Sequence, residues 1–351
     1  MTHRKPIRGP MAWLGDEMGA RSEWIRWWTD EECSELRAAL VALAKSRSET
    51  LRVESLSLRR VRAALAEASE ELENGRGFQL FRGAPVDGVD THDLRRLMFN
   101  LSAAMGHPLS QTRTGELIAD ITDEGAVARE RRGVLDEPDS ESRFLSSRAR
   151  VHSTGPLRYH TDRCDVVGLL CVRQGLGGGM SRLASSVSVR NAILTERPDL
   201  LDLLYEDYVR SRFGEESLDP AACYPLSVFG ERAGKFTSHY SRTYIEVAQK
   251  LPSVKPLTEA HWEALDLLHQ KAESLAFTMT LRPGDIQWVN NHVIYHARDA
   301  YEDGELPAQR RLLLRAWLSM PNSRALPERH AVLWGDVSAG AIRGGITADA
   351  P

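Results

Sequence analysis

The chain has 351 residues, 42% hydrophobic and 27% charged, with 45 basic against 49 acidic side chains and a net charge of −4. This is the composition of a globular protein long enough for a large core, and it excludes a disordered or fibrous chain. The slightly acidic balance argues against a surface built for bulk nucleic-acid binding.

Residues 1–28 read as an irregular leader rich in tryptophan. Thr29 with Glu32 three residues on is a capping box, and Cys33, Leu36, Leu40 and Leu43 follow at helical spacing. A second helix is predicted from Leu58 to Asn74, stopped by Gly75, and a third from Thr91 to Met105. Phe78–Phe81, between Gly77 and Gly83, reads as a short buried strand. The stretch 123–150 carries charges of both signs and no sustained periodicity, and is expected to form a lid segment over a site. From Leu157 the pattern turns to short strands. Val166–Val172 is an apolar run, Gly175–Gly179 a turn, and Met180–Val189 is expected to be extended. Helices are predicted over Pro198–Tyr208 and Thr258–Leu275. Phe277–Leu281, Ile286–Ala297 and Arg311–Ser319 read as strands. Strands scattered among helices without a βαβ rhythm predict an α+β fold around an antiparallel sandwich or barrel.

No apolar run approaches the roughly 20 residues of a membrane span, and the first residues lack the apolar stretch of a secretory signal. Cys33, Cys164, Cys171 and Cys223 form no CxxC pair. The expectation is a cytoplasmic protein that acts on a small molecule, with no membrane or nucleic-acid partner and with room for a homo-oligomer.

One motif carries chemistry. His160-Thr161-Asp162 is the one HxD in the chain. In extended backbone, residues i and i+2 point the same way, so imidazole and carboxylate can grip one metal ion. His296 is the candidate third ligand, completing a two-histidine, one-carboxylate facial set of the kind that holds non-haem Fe(II). His292, four residues earlier, competes with it, and spacing alone does not choose. His261-Trp262-Glu263 is also His-x-carboxylate, but it sits in a helical pattern where the two side chains diverge by roughly 200°. Arg311, Leu313 and Arg315 share one face of the last strand. Two cations on an apolar strand suit a guanidinium fork for a ligand carboxylate.

These blocks together resemble the taurine dioxygenase-like (TauD/TfdA) family of Fe(II)/2-oxoglutarate-dependent oxygenases. The resemblance rests on YHTDRCDVVGLLCV (Tyr159–Val172), GGGMSRLASS (Gly177–Ser186), PGDIQWVNNHVIYHAR (Pro283–Arg298) and RRLLLRAWL (Arg310–Leu318). It implies a double-stranded β-helix (jelly-roll) core with N-terminal and inserted helices. It implies that His160, Asp162 and His296 bind Fe(II), with O2 as co-substrate. It also implies that Arg311 pairs with the far carboxylate of 2-oxoglutarate, that Ser181 supports the same carboxylate, and that Arg315 faces the primary substrate. Asn290 and Asn291 match the family's Asn before the distal histidine and are expected to support rather than react. His292 stands where many members have a different residue, and is set aside as a ligand. The activity implied is oxidation, in the first place hydroxylation, of an unactivated C–H bond in a small polar or anionic substrate such as an amino acid, with 2-oxoglutarate decarboxylated to succinate and CO2. Tyr240 and Arg242 are lesser candidates for binding an anionic group.

Two other readings compete. One is a hydrolase or isomerase using the same ligands for zinc; the other is a non-catalytic binding protein on the same scaffold. Arg311 argues against the first and the intact ligand set against the second. The span of the motifs predicts one continuous oxygenase domain over 76–325, an N-terminal helical extension over 1–75 packed on it, and a C-terminal tail over 326–351.

Overall fold

The computed structural model describes residues 5–46, 48–125, 134–135, 144–145, 151–212 and 222–348. Most of the expected lid segment 123–150 lies outside them. The helices follow the sequence signals, except that the one beginning at Pro198 ends at Leu204 and Tyr208 lies in the strand Asp207–Ser211. Thr29 and Glu32 form the reciprocal cap: the Glu32 amide donates to Thr29 Oγ1 at 3.2 Å and the Thr29 amide to Glu32 Oε2 at 2.9 Å. The helices Arg59–Asn74 and Thr91–Met105 form next, and Asp90 caps the second. They bury Leu65, Leu72, Leu97 and Leu101 against one face of a large sheet.

That sheet contains β1 (Ile25–Trp27), β2 (Phe78–Arg82), β3 (His107–Leu109) and β4 (Ile118–Ile121). A smaller sheet begins with β5 (Leu157–His160). The chain then returns to the large sheet as β6 (Val166–Arg173), goes to the small one as β7 (Ser181–Ser185) and β8 (Phe277–Met279), and returns as β9 (Ile286–Asn290). It crosses once more for β10 (Ile294–Arg298) and ends the core with β11 (Leu312–Ser319). The large sheet has the order β1-β2-β9-β6-β11-β3, with β4 also on β11; the small one runs β8-β7-β10-β5. Alternation of sheets along the chain is the double-stranded β-helix expected from the resemblance.

Packing explains the one glycine inside the apolar run of β6. Gly168 lies opposite Trp288 of β9, and a Cβ there would sit 2.2 Å from the indole ring. The tryptophan, fully buried, uses that space.

Two expectations are corrected. Met180–Val189 is not extended throughout: the strand ends at Ser185, whose hydroxyl accepts from the Ser188 amide at 3.1 Å and caps the helix Ser186–Glu196. A serine cap outweighs the β preference of the two valines. Ile286–Ala297 is not one strand either. The chain turns at residues 291–293 and changes sheet, so His292 and His296 do not share a strand face. The leader is likewise more ordered than its sequence suggests. It contributes a short helix, Gly15–Gly19, and β1, which pairs parallel with β2, and it buries Trp13, Trp24 and Trp28.

The last described segment folds back over the core. Leu326, Leu333, Trp334 and Val337 pack with Tyr224 and Leu226. Beneath them His330 is fully buried, with Nε2 3.1 Å from Ser227 Oγ. Burial lowers its pKa to about 3, and His239 is also pushed well below the usual range by burial. Both imidazoles are therefore neutral in the fold. Below the unfolded value near 6.5 the unfolded chain takes up protons that the native state refuses. Each such group then removes about 1.4 kcal/mol of stability per pH unit. Urea unfolding at about pH 7.5 and about pH 5.5 is expected to show a fall in stability on acidification, and a smaller fall in His330→Gln. An equal fall in both proteins would show that His330 titrates alike in the two states.

Candidate active site

The two sheets face each other, and the chemistry lies between them. Antiparallel pairing of β10 with β5 sets His296 directly opposite His160, with ring centroids 4.2 Å apart. Asp162 follows β5 by two residues, held by its own amide, which donates to Asn291 Oδ1 at 2.9 Å. The Asp162 carboxylate lies 3.8 Å from Nε2 of each histidine. Ligand atoms of the three buried residues lie within 4.8 Å of one another. No other group of three such residues forms among the described residues.

Protonation favours metal binding. His160 Nδ1 donates to the Arg158 carbonyl at 2.9 Å, which leaves the lone pair on Nε2, the atom facing Asp162. Burial lowers the pKa of both histidines, that of His296 to about 3, so both rings are neutral. Burial works against the Asp162 carboxylate. The Arg315 charge, with a hydrogen bond from Trp317 Nε1 to Oδ2 at 3.0 Å, outweighs it and holds the pKa below the ordinary value. Two neutral imidazoles and one anionic oxygen donor, converging without a protein cation among the ligands, fit a divalent iron.

A compartment on one side of the triad is lined by His160, Asp162, His296, Ser181, Arg298 and Arg311, among others. Arg311 is 2% exposed. Its Nε and Nη1 have no hydrogen-bond partner among the described residues, while its backbone amide is tied to Asp303 Oδ1 at 2.7 Å. Burial lowers its pKa from the usual guanidinium value. Room for this side chain comes from the glycine turn: Gly179 has φ +68°, and a Cβ there would stand 3.2 Å from Arg311 Nε. Ser181 Oγ lies 3.2 Å from the Gln287 side chain, so both face the same compartment. A buried fork with free donors beside a hydroxyl and an amide fits a carboxylate at this end.

A second compartment opens on the other side of the same two ligands, His160 and Asp162, and includes Thr161, His239, Tyr244 and Leu333. Arg315 borders both compartments. Its Nε donates to Gln111 Oε1 at 2.7 Å, its Nη1 is 3.8 Å from Asp162, and its guanidinium stacks 5.0 Å from the Trp317 ring.

Sequence reasoning placed His160, Asp162, His296, Ser181, Arg311 and Arg315 in one site, and the structure brings all six around these two compartments. It separates His292, whose Nε2 is 2.7 Å from Asp165 and whose Nδ1 is 2.9 Å from Thr237. Arg242 is bound to Glu246 and Asp266, Tyr240 is buried in the core, and His261 lies 3.3 Å from Glu206 on a helix. Gln111, Gln287, Arg298 and Trp317 were missed. Alternation along β11 placed Trp317 on the face of Arg311 and Arg315 and could have found it; nothing local marks the other three.

The family model described as "Taurine catabolism dioxygenase TauD, TfdA family" matches residues 43–317. FR-33289 synthase of Streptomyces rubellomurinus is 28% identical over 338 residues, covering 92% of this chain and 93% of that protein. Taurine hydroxylase-like protein SAT17 of Stachybotrys chartarum is 25% identical over 315 residues, covering 88% of this chain and 78% of that protein. Among solved structures, asparagine oxygenase with Fe(II), 3-hydroxyasparagine and succinate superposes with a TM-score of 0.62 at 18% identity, over 85% of this chain and 94% of that one. The non-haem iron oxygenase OrfP with iron and alpha-ketoglutaric acid gives 0.60 at 15% identity, over 91% of this chain and 99% of that one. The chain belongs to the TauD/TfdA family and is a non-haem iron, 2-oxoglutarate-dependent oxygenase.

Proposed function

We propose that His160, Asp162 and His296 hold the Fe(II), that Arg311 and Ser181 receive the far carboxylate of 2-oxoglutarate, and that Arg315 receives an anionic group of a small substrate. The observation that carries this reading is the buried Arg311 fork, whose Nε and Nη1 lack partners among the described residues in a compartment that ends at the triad. Leaving such donors unsatisfied is costly, and a carboxylate satisfies them. A zinc hydrolase has no use for that anchor.

The iron, O2 and the decarboxylation of 2-oxoglutarate to succinate and CO2 supply the power to oxidise an unactivated C–H bond. The protein supplies position and charge. His160 and His296 present neutral Nε2 lone pairs, and Trp317 fixes one oxygen of Asp162. Arg311, Ser181 and Gln287 orient the oxo acid from its far end. Arg315, braced by Gln111 and Trp317, offers the remaining directions of its guanidinium to the second compartment. The substrate class this supports is an amino acid or other small acid. Arg242, already neutralised by two carboxylates, takes no part.

Anaerobic addition of Fe(II) and 2-oxoglutarate is expected to give a visible charge-transfer band in the wild type and in His292→Ala, and none in His296→Ala. The opposite assignment would exchange the two histidines. Arg311→Met is expected to raise KM for 2-oxoglutarate by about 30- to 1,000-fold, the consequence of removing one partner of a buried charge pair worth about 2–4 kcal/mol. A rise of less than threefold would move the anchor elsewhere. Trp317→Phe keeps the packing and loses the donor to Asp162. Metal titration is expected to show about 10- to 100-fold weaker Fe(II) binding, and unchanged affinity would remove Trp317 from the site.

A further inference from the structure

Two guanidiniums share one aromatic ring at the anchor end of the site. The Tyr301 ring centroid is 4.8 Å from Cζ of Arg298 and 5.1 Å from Cζ of Arg311. Neither arginine has a carboxylate within ion-pair distance among the described residues. Like charges in a buried setting repel more strongly than they would in water, and after burial the Arg311 charge is what lowers the Arg298 pKa.

The two cations are held differently. Arg311 leaves donors free toward the compartment. Arg298 spends both terminal nitrogens on backbone, leaving its Nε without a partner among the described residues: Nη1 donates to the Val151 carbonyl at 3.2 Å, and Nη2 to those of Ser153 at 2.6 Å and Gly155 at 2.5 Å. The Tyr301 amide adds a bond to the Thr154 carbonyl at 3.0 Å. Residues 151–155 are thus gathered onto one cation and one strand end. Their importance lies in Val151, which lines both the cofactor compartment and the substrate compartment.

We propose that Arg298 is a positioning residue that couples the carboxylate anchor to segment 151–155, so that 2-oxoglutarate at Arg311 firms the wall shared with the substrate compartment. The proposal rests on the placement of 2-oxoglutarate given above. An anion on Arg311 cancels the repulsion that Arg311 exerts on Arg298 across Tyr301. Arg298 then sits lower in energy against its three carbonyls, and the segment they belong to opens less often. Linkage makes the effect reciprocal: whatever loosens the clamp weakens 2-oxoglutarate by the same factor.

The experiment measures backbone hydrogen exchange of a peptide spanning 151–156 in the Fe(II)-loaded protein under argon, with and without 2-oxoglutarate, in the wild type and in Arg298→Lys. Lysine keeps the charge but cannot fork to three carbonyls. Expected are slower exchange on adding 2-oxoglutarate in the wild type, by about 5-fold or more, and loss of that ligand dependence in Arg298→Lys. The variant's dissociation constant for 2-oxoglutarate, read from the charge-transfer band, is expected to weaken by the factor lost in exchange. Exchange in the wild type that ignores 2-oxoglutarate overturns the coupling, and so does ligand-dependent protection that survives in Arg298→Lys. An arginine that only staples the loop would raise exchange equally with and without ligand. If Arg298→Lys fails to fold, the ligand dependence in the wild type decides alone. A wild type that binds 2-oxoglutarate but shows no coupling leaves the functional reading standing, whereas one that does not bind it overturns both.

Discussion

The site depends first on one antiparallel pairing. β5 and β10 place His160 and His296 in register, although 136 positions separate them in the chain. A one-residue slip in either strand would turn one imidazole to the opposite face of the small sheet. The register is protected from both sides. β10 also pairs with β7 from Ser181 to Ser185, and the Thr161 amide beside His160 is bound to the Tyr240 carbonyl at 2.8 Å. Asp162 then needs only the short step beyond β5, fixed by Asn291. Asn291 itself lies in the turn that carries the chain from the large sheet to the small one. The crossing that brings His296 into place therefore also supplies the group that aims Asp162.

A second set of buried charges engages His292 away from the triad. Asp165, three residues after Asp162, is 1% exposed. It accepts from His292 at 2.7 Å, from Arg343 Nε at 2.9 Å and from the Met320 amide at 2.9 Å. Burial opposes its ionisation, but these partners hold its pKa below the ordinary carboxylate value. Arg343 belongs to the last described segment, so this cluster ties that segment to the loop bearing Asp162. A buried carboxylate with several donors specifies one arrangement, because removing a partner leaves a charge stranded. His292 is a structural counterpart to Asp165, and His296 is left to the open side of the sheet.

Much of this was legible in the sequence, for physical reasons. The capping box at Thr29, the apolar run of β6 and the HxD spacing are local signals, and local signals survive in one dimension. The choice between His292 and His296 was not local. Both lie in an unbroken extended-looking stretch, and only the change of sheet at residues 291–293 separates them; family resemblance, rather than spacing, picked out His296. The missed residues share this cause. Gln111 and Arg315 are 204 positions apart, and Ser181 and Gln287 are 106 apart, so neither pair leaves a pattern. Arg298 looks like a strand-end charge until its three carbonyl partners are seen. The serine and valine run after Ser185 failed for another reason: a cap fixes helix entry by one hydrogen bond that propensity does not count.

The cations have a common logic. Arg298, Arg311 and Arg315 all border the cofactor compartment, and Asp162 is the carboxylate that borders it with them among the described residues. In a chain whose net charge is −4, this is a local inversion. A cavity biased this way destabilises the empty fold, since Arg298 and Arg311 are buried without a counterion among the described residues. The same bias lowers the free energy of an acid that enters, because the cost of burying the cations has already been met by the fold. On the proposed reading Arg311 contributes most where it is least satisfied, its unpartnered Nε and Nη1 being the groups that would meet the ligand. Arg298 has its charge fixed on backbone carbonyls, from where, in the proposed coupling, it acts on Arg311. Arg315 lies between the two compartments, close enough to Asp162 to favour its ionised form and free enough to meet a second acid. On the proposed reading the arrangement is a sequence of anion positions, with the Asp162 carboxylate in the middle, and the order of the three arginines sets where each acid rests.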